Sequence, residues 1–408
     1  MLLSDRSRFV INPIEEENII AQRLENSGKK IYRLNRGDPT KYFPTPKYII
    51  DAHKRALDEG YTYYSNPDGI NELKNAVIKR YSRLYKLSLA ENDVVVTEGV
   101  SESLLFLNSA IINPLDLAVI FKPYYPLYNV FLNMNSGKAV EGDYDEQNNW
   151  DIDVEKLKKS LEKVKRDGKI RKLKYMIITN PNNPTGTVIN KAVLKEIVDI
   201  ANEYGILLIS DEIYDEIVFN KVKYTSVSEV ARGIPYVILG GISKVYNATG
   251  FRIGFSIIPE NDEVSGLLKG KIYDYASTRI SAGMPAQFAA ATAMNNVKEH
   301  SKSLNAMVKT ISERVNHAAK MINECKNLET VIPNGAFYVF PKINLNDMDI
   351  KDDREFVMKL LKEKGVLVTR GSGFGSNDHF RVVALAPKET LDEAISKINS
   401  FCKTHSKN

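Results

Sequence analysis

The strongest constraint on this chain lies in its middle, where short runs of β-branched and aromatic residues alternate with longer segments of helical period. The runs are residues 93–99 (DVVVTEG), 117–123 (LAVIFKP), 174–180 (KYMIITN), 206–212 (ILLISDE), 235–241 (PYVILGG) and 252–259 (RIGFSIIP). Between two of them, Leu194, Ile197, Val198 and Ala201 recur at helical spacing, with Asn190 placed to cap the front and Gly205 just past the end. Such repetition predicts an α/β fold, a mostly parallel sheet with helices on both faces. Further on the pattern changes. One long amphipathic helix, about 286–325, precedes GAFYVFPKI (335–343), KGVLVTR (364–370) and HFRVVALAP (379–387), which predicts a smaller α+β domain. A length of 408 residues fits two or three domains, and no repeat or low-complexity linker divides them.

Composition excludes several function classes. The 56 basic and 51 acidic side chains leave a net charge of +5, too weak over this length to argue for a polyanionic partner such as nucleic acid. The densest basic run, 156–174, carries Leu157, Leu161 and Val164 at helical spacing behind Asp153 as a cap, and reads as a solvated helix face. No apolar run reaches the roughly 18 residues of a membrane helix. The opening MLLSDRSRFVINPIEEEN becomes charged too soon for a secretory signal. Cys325 and Cys402 form neither a disulfide framework nor a metal motif, and the five histidines show no ligand spacing, so no metal site is expected and a cytoplasmic location follows by default.

In open α/β sheets ligands bind beyond the carboxyl ends of the strands. Three consecutive runs end there in polar clusters: Asn180-Pro-Asn-Asn-Pro-Thr-Gly186, Asp211-Glu-Ile-Tyr214 and Gly241-Ile-Ser-Lys244. The first is an irregular turn rich in side-chain amides. An aspartate closing a buried strand needs a cationic or hydrogen-bonding partner. A lysine after two glycines can sit close against a ligand, where desolvation lowers its pKa toward nucleophilic use. Singly, an aspartate at a strand end is more often a turn or cap residue. Together, in this order, the clusters describe one site. Gly99-Val100-Ser101-Glu102 adds a glycine-led turn opening an apolar helix, whose free N–H groups and dipole favour an anion.

These motifs resemble the fold-type I pyridoxal-phosphate enzymes, specifically the class I/II aminotransferases. The resemblance rests on NPNNPTG (180–186), SDEIY (210–214), SKVYNATGFRIGF (243–255) and FRVVALAP (380–387). LNRGDPTKYFPTP, PAQFAAA and GSGFG add similarity to the archaeal alanine/aspartate branch. It implies a large cofactor domain over 45–290 and a small domain built from 1–44 and 291–408. It also implies the cofactor, pyridoxal 5′-phosphate. Lys244 matches the lysine that bonds the cofactor aldehyde and then shuttles the substrate α-proton. Asp211 matches the carboxylate on the protonated ring nitrogen, Tyr214 and Asn183 the donors to its phenolic oxygen, and Tyr125 the aromatic stacked on the ring. Val100, Ser101, Ser243 and Arg252 match the phosphate anchors, joined by Tyr64 from a neighbouring subunit. Val100 stands where many relatives have Gly, Ala or Ser, and Gly241 where some have a phosphate-binding serine. Arg381 matches the arginine that grips the α-carboxylate, and Gly37 the glycine whose backbone closes over the substrate.

The implied reaction is ping-pong transamination between a small amino acid, alanine or aspartate, and 2-oxoglutarate. Amino acids and 2-keto acids are then the partners, and the working unit is a homodimer. Arg279, in Arg-Ile-Ser-Ala-Gly-Met-Pro285, has two readings: a reader of a distal carboxylate in the partner subunit's site, or a surface or interface arginine after a 271–276 helix. A lyase on the same fold, a C–S lyase or one like aminocyclopropane-carboxylate synthase, would keep the same lysine, aspartate and arginine. A regulator built on this domain would need a DNA-binding segment ahead of it, for which the early start of the match leaves no room. Gly371-Ser-Gly-Phe-Gly375 resembles part of a dinucleotide fingerprint, but a strand rather than a helix is expected after it, so it reads as a loop. Tyr61 and Tyr63 read as packing residues.

Overall fold

The computed structural model describes residues 7, 8, 10 and 15–407. Part of the N-terminal segment, including most of the opening stretch weighed against a secretory signal, lies outside the described residues. In chain order the first strands are β1 (Tyr32–Arg33), β2 (Val94–Thr97), β3 (Leu117–Lys122), β4 (Lys138–Asp145), β5 (Asp151–Ile152), β6 (Leu173–Thr179), β7 (Leu207–Asp211), β8 (Tyr236–Gly241) and β9 (Gly254–Ile257). From β2 onward they form one sheet in the order β2-β9-β8-β7-β6-β3-β4-β5. The run β8-β7-β6-β3-β4 is parallel, whereas β9 is antiparallel to both of its neighbours. The carboxyl ends of β2, β3, β6, β7 and β8 and the amino end of β9 therefore share one edge.

Side chains explain why this sheet is central. Val94 and Val96 enter one apolar cluster and Val95 the other; Val119 and Phe121 alternate with Ala118 and Ile120 in the same way. A strand apolar on both faces has no solvent side and needs a helical layer on each. The sequence-predicted strands are all present, most a little shorter than their apolar runs and β6 shifted by one residue. β4 and β5 were not anticipated. β4 reads KAVEGDYD because its first residues are exposed near the sheet margin, so no continuous apolar run marks it. The expected caps form: Asp153 accepts from the Lys156 amide at 2.9 Å, Asn190 from that of Ala192 at 2.9 Å, and Gly205 closes its helix at φ 62°.

The expected single helix over 286–325 is two helices, Met284–Asn295 and Val297–Asn323, broken at Asn296. The first is alanine-rich, buries most of its surface and packs on helices Lys47–Asp58 and Asn71–Tyr85. The second is amphipathic and packs on the C-terminal helix Lys388–Thr404. Two different burial demands cannot be met by one straight axis, and Asn296 holds the break by donating its side-chain amide to Thr292 O at 2.8 Å. The remaining strands are β10 (Leu328–Glu329), β11 (Tyr338–Val339), β12 (Lys342–Ile343), β13 (Val366–Leu367), β14 (Thr369–Arg370) and β15 (Phe380–Val383). β1 pairs in parallel with β13, which ties the N-terminal segment to the C-terminal part, and β15 lies between β11 and β14.

Behind the sheet edge, Arg80 is buried with its guanidinium 2.7 Å from Asp215 and 2.6 Å from Glu216, while Tyr85 donates to Asp215 at 2.7 Å. Breaking such a buried cluster by removing one partner is costly, so it anchors the turn that carries Tyr214.

Candidate active site

A cavity of about 320 Å³ opens at the shared strand edge. Its floor is Asp211, the last residue of β7, which is 3% exposed. Tyr128 donates its hydroxyl to one Asp211 oxygen at 2.6 Å, and the Ile213 amide donates to the other at 3.2 Å. Burial pushes the carboxyl up to about 6, opposed by the Tyr128 bond, the Ile213 amide and the charge of Lys244. Both donors are neutral. Among the described residues no cation is in ion-pair contact with this buried carboxylate, and a protonated ring nitrogen would supply one.

Lys244 follows β8 and donates to Gly37 O at 2.7 Å. Burial lowers its pKa to about 8; Asp38 opposes the shift, and Arg381 and Arg252 add to it. Only the neutral amine attacks an aldehyde. The rate at which cofactor-free protein captures added pyridoxal phosphate is thus expected to rise about tenfold per pH unit up to about 8 and then level off. Absorbance at a series of pH values checks this, and a rise that continues toward 10.5, the ordinary lysine value, would contradict it.

One end of the cavity suits an anion. Gly99, at φ 79°, precedes helix Val100–Ile111, and a Cβ on it would collide with the Arg252 guanidinium. A Cβ on Gly254 would come within 2.6 Å of Gly99 C. These two glycines let the ends of β2 and β9 close up, so the Val100 and Ser101 amides, which have no intrahelical acceptors, stand beside Ser243 and Arg252 on the cavity wall. Arg252 itself sits in left-handed backbone (φ 55°) and donates to Thr249 O at 3.0 Å.

At the other end Arg381, on β15, is 4% exposed. It donates to Asn183 Oδ1 at 2.8 Å and to Asn35 O at 2.7 Å, and lies 4.7 Å from the ring centroids of both Tyr338 and Phe374. The buried guanidinium is held flat and fully oriented, which suits two-oxygen recognition of a carboxylate. Tyr214 shares a 2.7 Å hydrogen bond with Tyr338, and burial keeps its hydroxyl well above the ordinary range, so it remains a donor. Tyr125 lines the wall, edge-on to Tyr128.

The structure thus gathers Lys244, Asp211, Tyr214, Asn183, Tyr125, Val100, Ser101, Ser243, Arg252, Arg381 and Gly37 around one cavity. Tyr64 and Arg279 are not on its wall. Tyr64 is 75% exposed. Arg279 donates to Pro67 O at 2.9 Å and Val96 O at 3.2 Å and faces Glu102 at 3.6 Å. Sequence reasoning missed Tyr128, Tyr338 and Asn35. Tyr128 had a signal, lying one helical turn after Tyr125 in PYYPLY. Tyr338 and Asn35 had none, since their roles arise from contacts with distant residues.

The edge of this parallel sheet brings together a lysine, a buried aspartate and a helix end open to an anion, and those residues fit pyridoxal phosphate, the cofactor of the fold-type I enzymes that the sequence motifs resemble. Residues 29–398 match the model of the family described as aminotransferase class I and II. Glutamate–pyruvate aminotransferase AlaA of Haemophilus influenzae is 33% identical over 394 residues, covering 95% of this chain and 94% of that protein. Aspartate aminotransferase of Bacillus subtilis is 30% identical, covering 95% of each. The solved structure of alanine aminotransferase from Pyrococcus furiosus superposes with a TM-score of 0.92 at 35% identity, covering 99% of this chain and 100% of that one. The chain belongs to the class I and II aminotransferase family, in its alanine/aspartate branch. It is an enzyme, a pyridoxal-phosphate-dependent aminotransferase.

Proposed function

We propose that the protein moves amino groups between a small amino acid, alanine or aspartate, and 2-oxoglutarate, alternating two half-reactions at this one cavity. The observation that carries the reading is the pairing of Lys244 with Arg381. The lysine rests on the carbonyl of Gly37, and the arginine on that of Asn35, two residues earlier. A substrate whose α-carboxylate lies on Arg381 then presents its Cα–H toward Lys244. Bound pyridoxal phosphate supplies an aldehyde and an electron-withdrawing ring. Asp211 would hold the ring nitrogen, Tyr214 and Asn183 its phenolic oxygen, and Tyr125 its face. The Val100 and Ser101 amides, Ser243 and Arg252 would hold the phosphate. Lys244, its pKa lowered to about 8, would take the α-proton through its neutral form, a larger fraction near physiological pH than an ordinary lysine has.

The test is to follow the bound cofactor's absorbance while each amino acid is added. Alanine, aspartate or glutamate should bleach the visible band and release the matching keto acid. If no amino acid does so, the proposed substrates are wrong. A band that persists while ammonia is released would instead support the lyase reading, which the aminotransferase relatives do not favour.

The same proposal includes a homodimer in which Tyr64 completes the partner subunit's phosphate site, supported by its 75% exposure and its absence from its own cavity wall. Mixing Tyr64→Ala with Lys244→Ala subunits should then restore roughly a quarter of wild-type activity, because half the dimers are hybrids with one intact site each. No restoration after subunit exchange would place Tyr64 in its own site. For Arg279, its bonds to Pro67 and Val96 favour holding the loop behind Tyr64 over reading a distal carboxylate. We keep the division into a 45–290 body and a second body from 1–44 and 291–408. Among the described residues no helix is long and apolar enough to cross a membrane. A cytoplasmic location remains our reading, supported by a content of only two cysteines.

A further inference from the structure

Arg36 occupies a position that the proposed chemistry leaves unused. Its neighbours on either side are pinned to the reacting groups: Asn35 O accepts from Arg381 and Gly37 O from Lys244, each at 2.7 Å. Its own carbonyl accepts from the Asp38 amide at 2.9 Å, which fixes the backbone again. The side chain is exposed and lines both the cofactor cavity and a second cavity of about 650 Å³ that opens beside it. Among the described residues its guanidinium has no hydrogen-bond or ion-pair partner.

The other cations on the cofactor-cavity wall are engaged. Arg381 is held by Asn183 and Asn35, and Lys244 by Gly37. Arg252 is held by Thr249, and Arg33 is paired with Glu25 at 2.7 Å. Arg279 is turned toward Pro67 and Val96. A substrate with its α-carboxylate on Arg381 and its Cα at Lys244 must lay its side chain along the remaining wall, part of which is the 35–37 backbone. Glu15 also lines both cavities and carries the opposite charge, so an uncompensated wall would repel an acidic side chain.

We propose that Arg36 binds the distal carboxylate of a dicarboxylic substrate, such as glutamate or 2-oxoglutarate, from within the same subunit. This rests on the amino-group transfer proposed above. A planar guanidinium can hold both carboxylate oxygens, and its exposure lets it swing aside for a short, uncharged side chain such as that of alanine. One site could then alternate between the two substrate classes.

The experiment compares wild type, Arg36→Gln and Arg36→Lys in single half-reactions with glutamate and with alanine. For Arg36→Gln, kcat/KM for glutamate should fall roughly 10–100-fold, chiefly through KM, and the glutamate-to-alanine ratio should fall at least about tenfold. Arg36→Lys should recover part of the ratio. Parallel losses for both substrates, or a ratio within about threefold of wild type, would overturn the inference. Calorimetric binding of glutarate against butyrate to the cofactor-loaded protein gives a readout independent of turnover. Wild type should prefer glutarate, and Arg36→Gln should lose that preference; a preference that survives the substitution also overturns it. Should neither amino acid react with wild type, the transfer proposal fails, while the glutarate comparison still decides the role of Arg36.

Discussion

Lys244→Ala is expected to lower transamination by at least about 10⁴-fold while leaving the fold intact. General acid–base catalysis alone contributes about 10²–10⁴-fold, and this lysine is proposed to serve as both covalent anchor and proton carrier. Within the chain Lys244 donates to the Gly37 carbonyl, which orients its amine in the cavity. Stability should move the other way. A lysine held near 8 in the folded state binds fewer protons than in the unfolded state, where its value is 10.5. Folding is therefore penalised below about pH 8, and the penalty fades as pH rises toward 10.5. Alanine removes the penalty, so the cofactor-free variant should match or exceed wild type in melting temperature at pH 7. Residual activity within a hundredfold of wild type, with the melting temperature preserved, would remove Lys244 from the chemistry.

Asp211→Asn carries the second large effect. The substitution keeps the shape, and its amide oxygen can still accept from the Ile213 N–H while its NH2 group donates to the Tyr128 oxygen, but it removes the charge proposed to face the cofactor's ring nitrogen. Breaking a buried ionic pair costs about 3–5 kcal/mol, which corresponds to a loss of roughly 10²–10⁴-fold in turnover. The cofactor-free protein should show the opposite sign. The folded carboxyl titrates near 6, above its ordinary 3.8, so its contribution to stability is full below 3.8 and is lost as pH rises through 6. Cofactor-free Asp211→Asn should accordingly gain stability relative to wild type between pH 4 and 6. Turnover and urea-unfolding midpoints across that range check both signs. Turnover within tenfold of wild type would mean that the aspartate charge is not used.

Much of the architecture is legible in the sequence because it depends on local pattern. Val94–Val96 and Leu207–Ile209 are apolar on both faces, and that alone demands a sheet covered on both sides. The clusters at 180–186, 211–214 and 241–244 lie at the ends of adjacent parallel strands, so strand order converts sequence position into spatial proximity. Where the pattern was ambiguous, reading stopped short. No glycine or proline interrupts residues 286–323, and the break at Asn296 follows from two partners requiring two axes. β4 escaped notice because a strand near the margin need not be apolar.

The sequence by itself determined the chemical inventory and the sheet edge on which it would appear: Lys244, Asp211, Asn183 and Tyr214 lie in strand endings and their turns, and the family resemblance adds Arg252. Only the tertiary structure decided what surrounds them. Tyr128 meets Asp211 across 83 residues, Tyr338 meets Tyr214 across 124, and Arg381 meets Asn35 across 346. Hydrogen bonds between such distant partners leave no periodicity behind, because each depends on how two separately folded segments are packed. The same is true of Arg36, whose position beside the site comes from the pinning of Asn35 and Gly37 rather than from any motif of its own.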